Sequence, residues 1–201
     1  MSGCRDAELL LITGPPAVGK MTVGRAIAAR SAYRLFHNHH TIEPLLEVFG
    51  HGTRAFEVLN EEFRLRVVTE AAADGLSLIF TFAWWVDSDT DAEVVARLVA
   101  PYTDAGLPVR VVELYADLPT RLARNVGTDR IAAKPSKADL AWSDAHVREL
   151  DAAHRMNTDP ARPSVADDLL ASLPHLRVRT EGRAAEDVAT EVLHWVGVWS
   201  T

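Results

Sequence analysis

Seven residues near the start of the chain, Gly14-Pro15-Pro16-Ala17-Val18-Gly19-Lys20, have the types and spacing of a loop that wraps a phosphate. Two glycines separated by four residues let the backbone curl until its N–H groups point inward at an anion. The glycines permit positive φ torsions and a close approach of main chain to ligand. Lys20 adds a mobile point charge for the terminal phosphates of a nucleotide. A serine or threonine commonly follows such a lysine and reaches a magnesium ion through its hydroxyl. Here Met21 stands in that place and Thr22 comes next. The motif therefore assigns no direct metal ligand, whereas phosphate binding, which rests on backbone, is untouched.

Two further groups have chemistry suited to a second substrate. Phe36-His37-Asn38-His39-His40 brings three histidines close together, yet no cysteine or carboxylate joins them locally as a metal site would want. Neutral imidazoles can instead hydrogen-bond a hydroxylated compound and take its proton. His37, Asn38 and His39 are read as facing that acceptor, one histidine being a candidate general base. The alternative is a polar loop capping a helix that begins near Thr41. Asp87 is the second candidate, as base or as a magnesium ligand through water; its competing role is a surface turn residue beside Asp89 and Asp91. Trp84 and Trp85 either stack on a planar acceptor or pack half-buried. Arg64 and Arg66 either hold an anionic acceptor or are exposed helical arginines.

These residues need elements to position them. Glu8 to Thr13 is an apolar run ending at Gly14, as expected of a strand buried on both faces. Helical spacing follows from Lys20 to Ala32. Further strands are expected at 34–37, 76–82, 109–115 and 176–179. Helices are expected at 53–74 with Gly75 as the stop, from a capping box at Thr90 to Tyr102, from Asp117 through Arg124, at 143–156, from a Ser164 cap, and at 184–196. Strands interleaved with helices predict an α/β fold with a parallel sheet covered on both faces. In such sheets ligands bind beyond the carboxyl ends of the strands. Gly14 to Lys20, His37 to His40, Ala83 to Asp87 and Ala116 to Arg130 all lie there.

Bulk properties narrow the class. A chain of 201 residues, 48% hydrophobic, supports one core, so residues 1–201 are expected to be a single domain. The net charge of -7 argues against a nucleic-acid partner. Cys4 alone cannot form an intrachain disulfide, and the apolar run from Leu9 to Ile12 is too short to span a membrane. A cytoplasmic protein, monomer or homodimer, is expected. The only lysines are Lys20, Lys134 and Lys137, and none sits in an Asn-Lys-x-Asp motif, which excludes a GTPase switch.

The loop near the N-terminus, Leu118-Pro119-Thr120-Arg121-Leu122-Ala123-Arg124 after the fourth strand, the polar basic stretch beyond it, and the segment Val178 to Ala189 together resemble the P-loop small-molecule kinases. Shikimate kinase, gluconate kinase and chloramphenicol phosphotransferase are similar in layout, and the Lys-x-Thr ending of the loop resembles adenylate kinase. The resemblance implies a three-layer fold with a five-stranded parallel sheet in the order 2-3-1-4-5. It also implies ATP with Mg²⁺, and γ-phosphoryl transfer to a small-molecule acceptor. A lid at about 125–140 is implied, with Arg124 and Arg130 at its base as catalytic charges. An aspartate is implied after the second strand, yet no carboxylate lies between Tyr33 and Ile42, and Glu43 is the first. Shikimate is therefore not the expected acceptor. A nucleoside or nucleotide kinase, and a nucleotide-binding regulatory or toxin-like module, are the alternatives.

Overall fold

A computed structural model describes residues 7–125 and 140–197. Five parallel strands form one sheet: β1 (Leu9–Thr13), β2 (Arg34–His37), β3 (Leu78–Thr81), β4 (Val109–Tyr115) and β5 (His175–Arg179), in the order β2-β3-β1-β4-β5. Eight helices are present among the described residues: α1 (Lys20–Ala28), α2 (His39–Leu46), α3 (Arg54–Ala73), α4 (Asp89–Asp104), α5 (Leu118–Asn125), α6 (Leu140–Ala153), α7 (Ala166–Ala171) and α8 (Ala185–Trp195). None of them is long and apolar enough to cross a membrane.

β1 is central, paired with β3 on one side and β4 on the other, and all five of its residues are buried. That position explains its unbroken apolar run, because neither face meets water. Alternate residues feed two separate cores. Leu9 and Leu11 join Phe80 and Val111 on the face covered by α3, α4 and α7. Leu10 and Ile12 join Ile79 and Val112 on the face covered by α1 and α8. A slip of one residue would exchange the two sets, so the register is strongly specified.

The helix ends set where the strand-end loops emerge. α3 stops at Gly75 (φ 64°), where the amides of Gly75 and Leu76 turn back to the carbonyls of Ala72 and Ala71. α4 begins earlier than its sequence pattern implied. Ser88, not Thr90, accepts the amide of Asp91, because Ser88 holds the extended conformation a cap requires. α1 and α6 also differ from the expected spans, ending at Ala28 and Ala153.

The chain leaving α6 is tied to the sheet by Glu113 of β4, a buried carboxylate. Its Oε1 accepts from Asn157 Nδ2 and Thr158 N, both at 2.9 Å, and its Oε2 accepts from Thr158 Oγ1 at 2.7 Å. His175 Nε2 and Arg177 Nε lie 3.1 and 3.3 Å from the same group. Burial alone would push this carboxyl up; the hydrogen bonds from His175, Thr158 and Asn157 outweigh it and hold the group below the usual carboxylate range.

Candidate active site

The loop between β1 and α1 has the torsions its glycines allow. Gly14 sits at φ 131°, and a Cβ there would lie 2.3 Å from the carbonyl oxygen of Leu114. Ala17 (φ 64°) and Gly19 (φ 108°) complete the curl. Lys20 Nζ lies over the loop and donates to the carbonyls of Gly14 at 2.5 Å and Pro15 at 2.8 Å. α1 starts with no side-chain cap and no acidic residue in its first turn. A helix start of this kind can receive an anion at its first amides and the positive end of its dipole.

A second set of contacts holds this loop from behind. Arg124, in the last turn of α5, donates from Nη1 to the carbonyl of Val18 at 3.2 Å and to Thr180 Oγ1 at 2.9 Å. Its Nη2 reaches the Thr180 carbonyl at 2.5 Å. Thr180 follows β5, and its own hydroxyl also reaches the Val18 carbonyl at 3.2 Å. Arg121 points elsewhere. It is buried, pairs with Asp151 and donates to the carbonyl of Ala116, so it fastens α5 to α6.

The loop opens into a cavity of about 710 Å³. Lys20, Thr22 and Arg124 line its inner end; Asn38 and His39 line the side toward α2; Trp142 and His146 form the wall on α6. Trp142 and His146 stack nearly parallel, with ring centroids 5.0 Å apart. α2 starts at His39, directly after β2, rather than near Thr41. Asn38 donates its amide to Thr81 Oγ1 at the end of β3. Thr41 Oγ1 sits 3.0 Å from the Asn38 carbonyl and 2.6 Å from Asn60 Oδ1, and it accepts from Arg64 Nε at 3.2 Å. Burial lowers the Arg64 guanidinium to about 10, and its charge lies over the Phe82 ring. His39 Nδ1 is 2.8 Å from Glu43 Oε1. His40 is held below its usual value by burial and by the nearby charge of Arg25.

No protein-family profile and no curated protein matches the chain in sequence. Solved structures do match it in shape. A candidate kinase of Chloroflexus aurantiacus has a TM-score of 0.61 at 20% identity, over 98% of this chain and 99% of that one. Shikimate kinase from Acinetobacter baumannii, solved with shikimate, has a TM-score of 0.56 at 20% identity, over 94% and 92%. The APS kinase of Mycobacterium tuberculosis, solved with AMPPNP and APS, has a TM-score of 0.55 at 18% identity, over 95% and 98%. The chain has the fold of the P-loop small-molecule kinases.

Within this P-loop kinase fold the expected site residues fall into three groups. Pro16 to Thr22, Asn38, His39 and Arg124 line this cavity; Gly14 and Pro15 do not, and their carbonyls hold Lys20. Trp84 and Asp87 do not line it either. Trp84 is 1% exposed and packs in the core among residues such as Phe82 and Val86. Asp87 is exposed, 4.0 Å from Arg155 Nε, and Trp85 stacks on His154 at 3.9 Å. The cause is the path of the chain beyond β3: Val86 donates its amide to the carbonyl of Arg155, which ties this segment to the chain after α6. His37 is buried, its ring 3.7 Å from that of His40, and it does not line the cavity. Arg130 and most of the expected lid, 126–139, lie outside the described residues.

Other cavity residues had no part in the sequence reading as site residues. Thr180 and Arg183 follow β5, so the strand-end rule would have found them had it been applied to that strand as well. Arg25, His51, Trp142 and His146 carry no motif; only the fold brings them to the cavity.

Proposed function

We propose that the chain is an ATP-dependent phosphotransferase that moves the γ-phosphoryl group to a hydroxyl of a small molecule. One observation carries this reading: the phosphate loop, Lys20 and the uncapped start of α1 open into the same cavity that His39, His51 and Trp142 line. A donor on the loop and an acceptor between α2 and α6 would share one cavity. The cytoplasm, where ATP is abundant, is the compartment that suits this activity.

The oxygen donors that line the cavity include the hydroxyls of Thr22, Thr81 and Thr180, and no Asp or Glu is among the described lining residues. That set fits a magnesium ion carried by the nucleotide phosphates and its own waters rather than an all-protein cage. When bound, the ion would supply positive charge beside the β- and γ-phosphate oxygens. The chain's own residues orient and stabilise. Loop amides from Ala17 to Thr22 hold the phosphates, and Lys20 exchanges its carbonyl partners for phosphate oxygens. Arg124 keeps the loop in shape, and Arg130 is assigned to the developing charge. Asn38 and His39 position the acceptor. Transfer of this kind is mostly positioning and charge stabilisation, which these residues can provide.

The test is transfer of labelled γ-phosphate from Mg·ATP to panels of sugars, nucleosides and hydroxylated antibiotics. Acceptor-dependent transfer that disappears in Lys20→Ala is expected; nucleotide turnover independent of Lys20 would overturn the reading. A nucleoside acceptor is the second reading, favoured by the half-exposed Trp142 face in the cavity. The same panel separates the two.

A further inference from the structure

Phosphoryl transfer to a hydroxyl needs a group that takes the hydroxyl proton, and the carboxylates near the sheet edge are badly placed for it. Asp87 is exposed beside Arg155, and Glu113 is buried under Asn157 and Thr158. No Asp or Glu lines the cavity among the described residues. His39 does line it. It is the first residue of α2, and Glu43 lies one turn further along the same helix. The Nδ1 to Oε1 distance is 2.8 Å, with side-chain exposures of 9% and 21%, so the contact is largely shielded from water. A carboxylate can only accept, so the shared proton belongs to Nδ1, and in the neutral ring the lone pair then sits on Nε2. That is the tautomer a proton acceptor requires. The same carboxylate stabilises the imidazolium that forms when the proton arrives, as the third member of a nucleophile–histidine–carboxylate set does.

We infer that His39 is the general base of the proposed phosphotransfer and Glu43 the positioning residue that fixes its tautomer. The inference rests on the kinase reading. In the step, the acceptor O–H proton passes to Nε2 of His39 while the hydroxyl oxygen bonds to the γ-phosphorus. The bond from that phosphorus to the β–γ bridging oxygen breaks, and its electron pair leaves with ADP. The imidazolium then returns its proton to water.

Other titratable groups pack beside this ring or share its cavity. His37 of β2 lies 6.4 Å away between ring centroids. Lys20 and Arg25 of α1, His51 before α3 and His146 of α6 line the same cavity, and Arg64 of α3 reaches Thr41, two residues after His39.

Long-range ¹H–¹⁵N spectra of the full chain labelled in histidine, assigned with His39→Ala, read the tautomer directly. Expected is an Nδ1–H form in the wild type, and a titration midpoint lowered by about half a pH unit or more in Glu43→Gln, since that substitution removes the favouring anion. An Nε2–H form or an unmoved midpoint would overturn the assignment. The kinetic arm uses water as acceptor: Mg·ATP hydrolysis between about pH 5 and 9. The wild-type rate is expected to rise with pH through one ionisation. His39→Ala is expected to lose that limb and about a hundredfold in rate, with ATP affinity changed less than about twofold. A retained limb, or wild-type hydrolysis no faster than His39→Ala, would overturn the role. Loss of ATP binding is not expected in any of these variants. If Lys20→Ala leaves ATP affinity and hydrolysis unchanged, the kinase reading fails, a result the spectra of His39 do not depend on.

Discussion

Arg124 donates to the carbonyl of Val18 across 3.2 Å, joining the last turn of α5 to the back of the loop between β1 and α1. The same guanidinium holds Thr180 through its hydroxyl and its carbonyl, so three strand-end segments meet on one side chain. The loop's shape thus depends on an arginine more than a hundred residues away in sequence.

Arg124→Ala is expected to loosen the loop without unfolding the chain. Hydrogen bonds from a charged donor are worth about 1.5–3 kcal/mol each, and partial exposure places this case at the low end. Calorimetry should show Mg·ATP binding weakened roughly tenfold. Arg124→Lys should recover only part of it, because a single ammonium cannot span all three acceptors. Full affinity in the alanine variant would mean the contact does not shape the loop.

Gly14→Ala places a methyl group on the Leu114 carbonyl at a positive φ. The strained torsion alone costs about 1–3 kcal/mol, and the close contact adds to it. Urea denaturation is expected to show at least about 2 kcal/mol of destabilisation together with loss of nucleotide binding. A variant as stable as the wild type would show that the loop can move off β4.

Glu113 makes a pH prediction. Its folded carboxyl lies below the unfolded value, so the stability it contributes is complete above the ordinary carboxylate range. That contribution is lost as pH falls through the folded value. Glu113→Gln should therefore cost about 3 kcal/mol at neutral pH and progressively less in acid, as followed by urea midpoints. An equal cost at every pH would assign the group a packing role alone.

Trp84 and Asp87 separate core from site. Trp84→Ala is expected to cost about 3–5 kcal/mol, because the side chain is 1% exposed in the core. Asp87→Asn should leave both turnover and ATP affinity within about twofold, since surface polar changes of this kind are within about 0.5 kcal/mol. A large loss of turnover in Asp87→Asn would return this carboxylate to the catalytic edge.

The parts legible in sequence were those whose signal is local. β1 reads as an unbroken apolar run because it is buried on both faces, and β4 was found with the bounds the structure has. The Gly-rich loop is readable because its torsions demand its glycines. Sheet order followed from the resemblance to the P-loop kinases, not from periodicity. Elsewhere the deciding contacts join distant segments. Trp84 looks like a stacking platform until Val86 is seen bonded to Arg155. His51, Trp142 and His146 come from the loop before α3 and from α6, and they meet only in the folded cavity. Glu43 stood out as the first carboxylate after β2, but its place against His39 depends on α2 beginning at His39 itself.

Whether the loop from Gly14 to Thr22 is an ATP site is read by calorimetric titration with Mg·ATP, run on the wild type and on Lys20→Ala. Saturable binding by the wild type and at least a tenfold loss, about 1.4 kcal/mol, in the variant are expected. Equal binding by both, or binding by neither, would contradict the assignment.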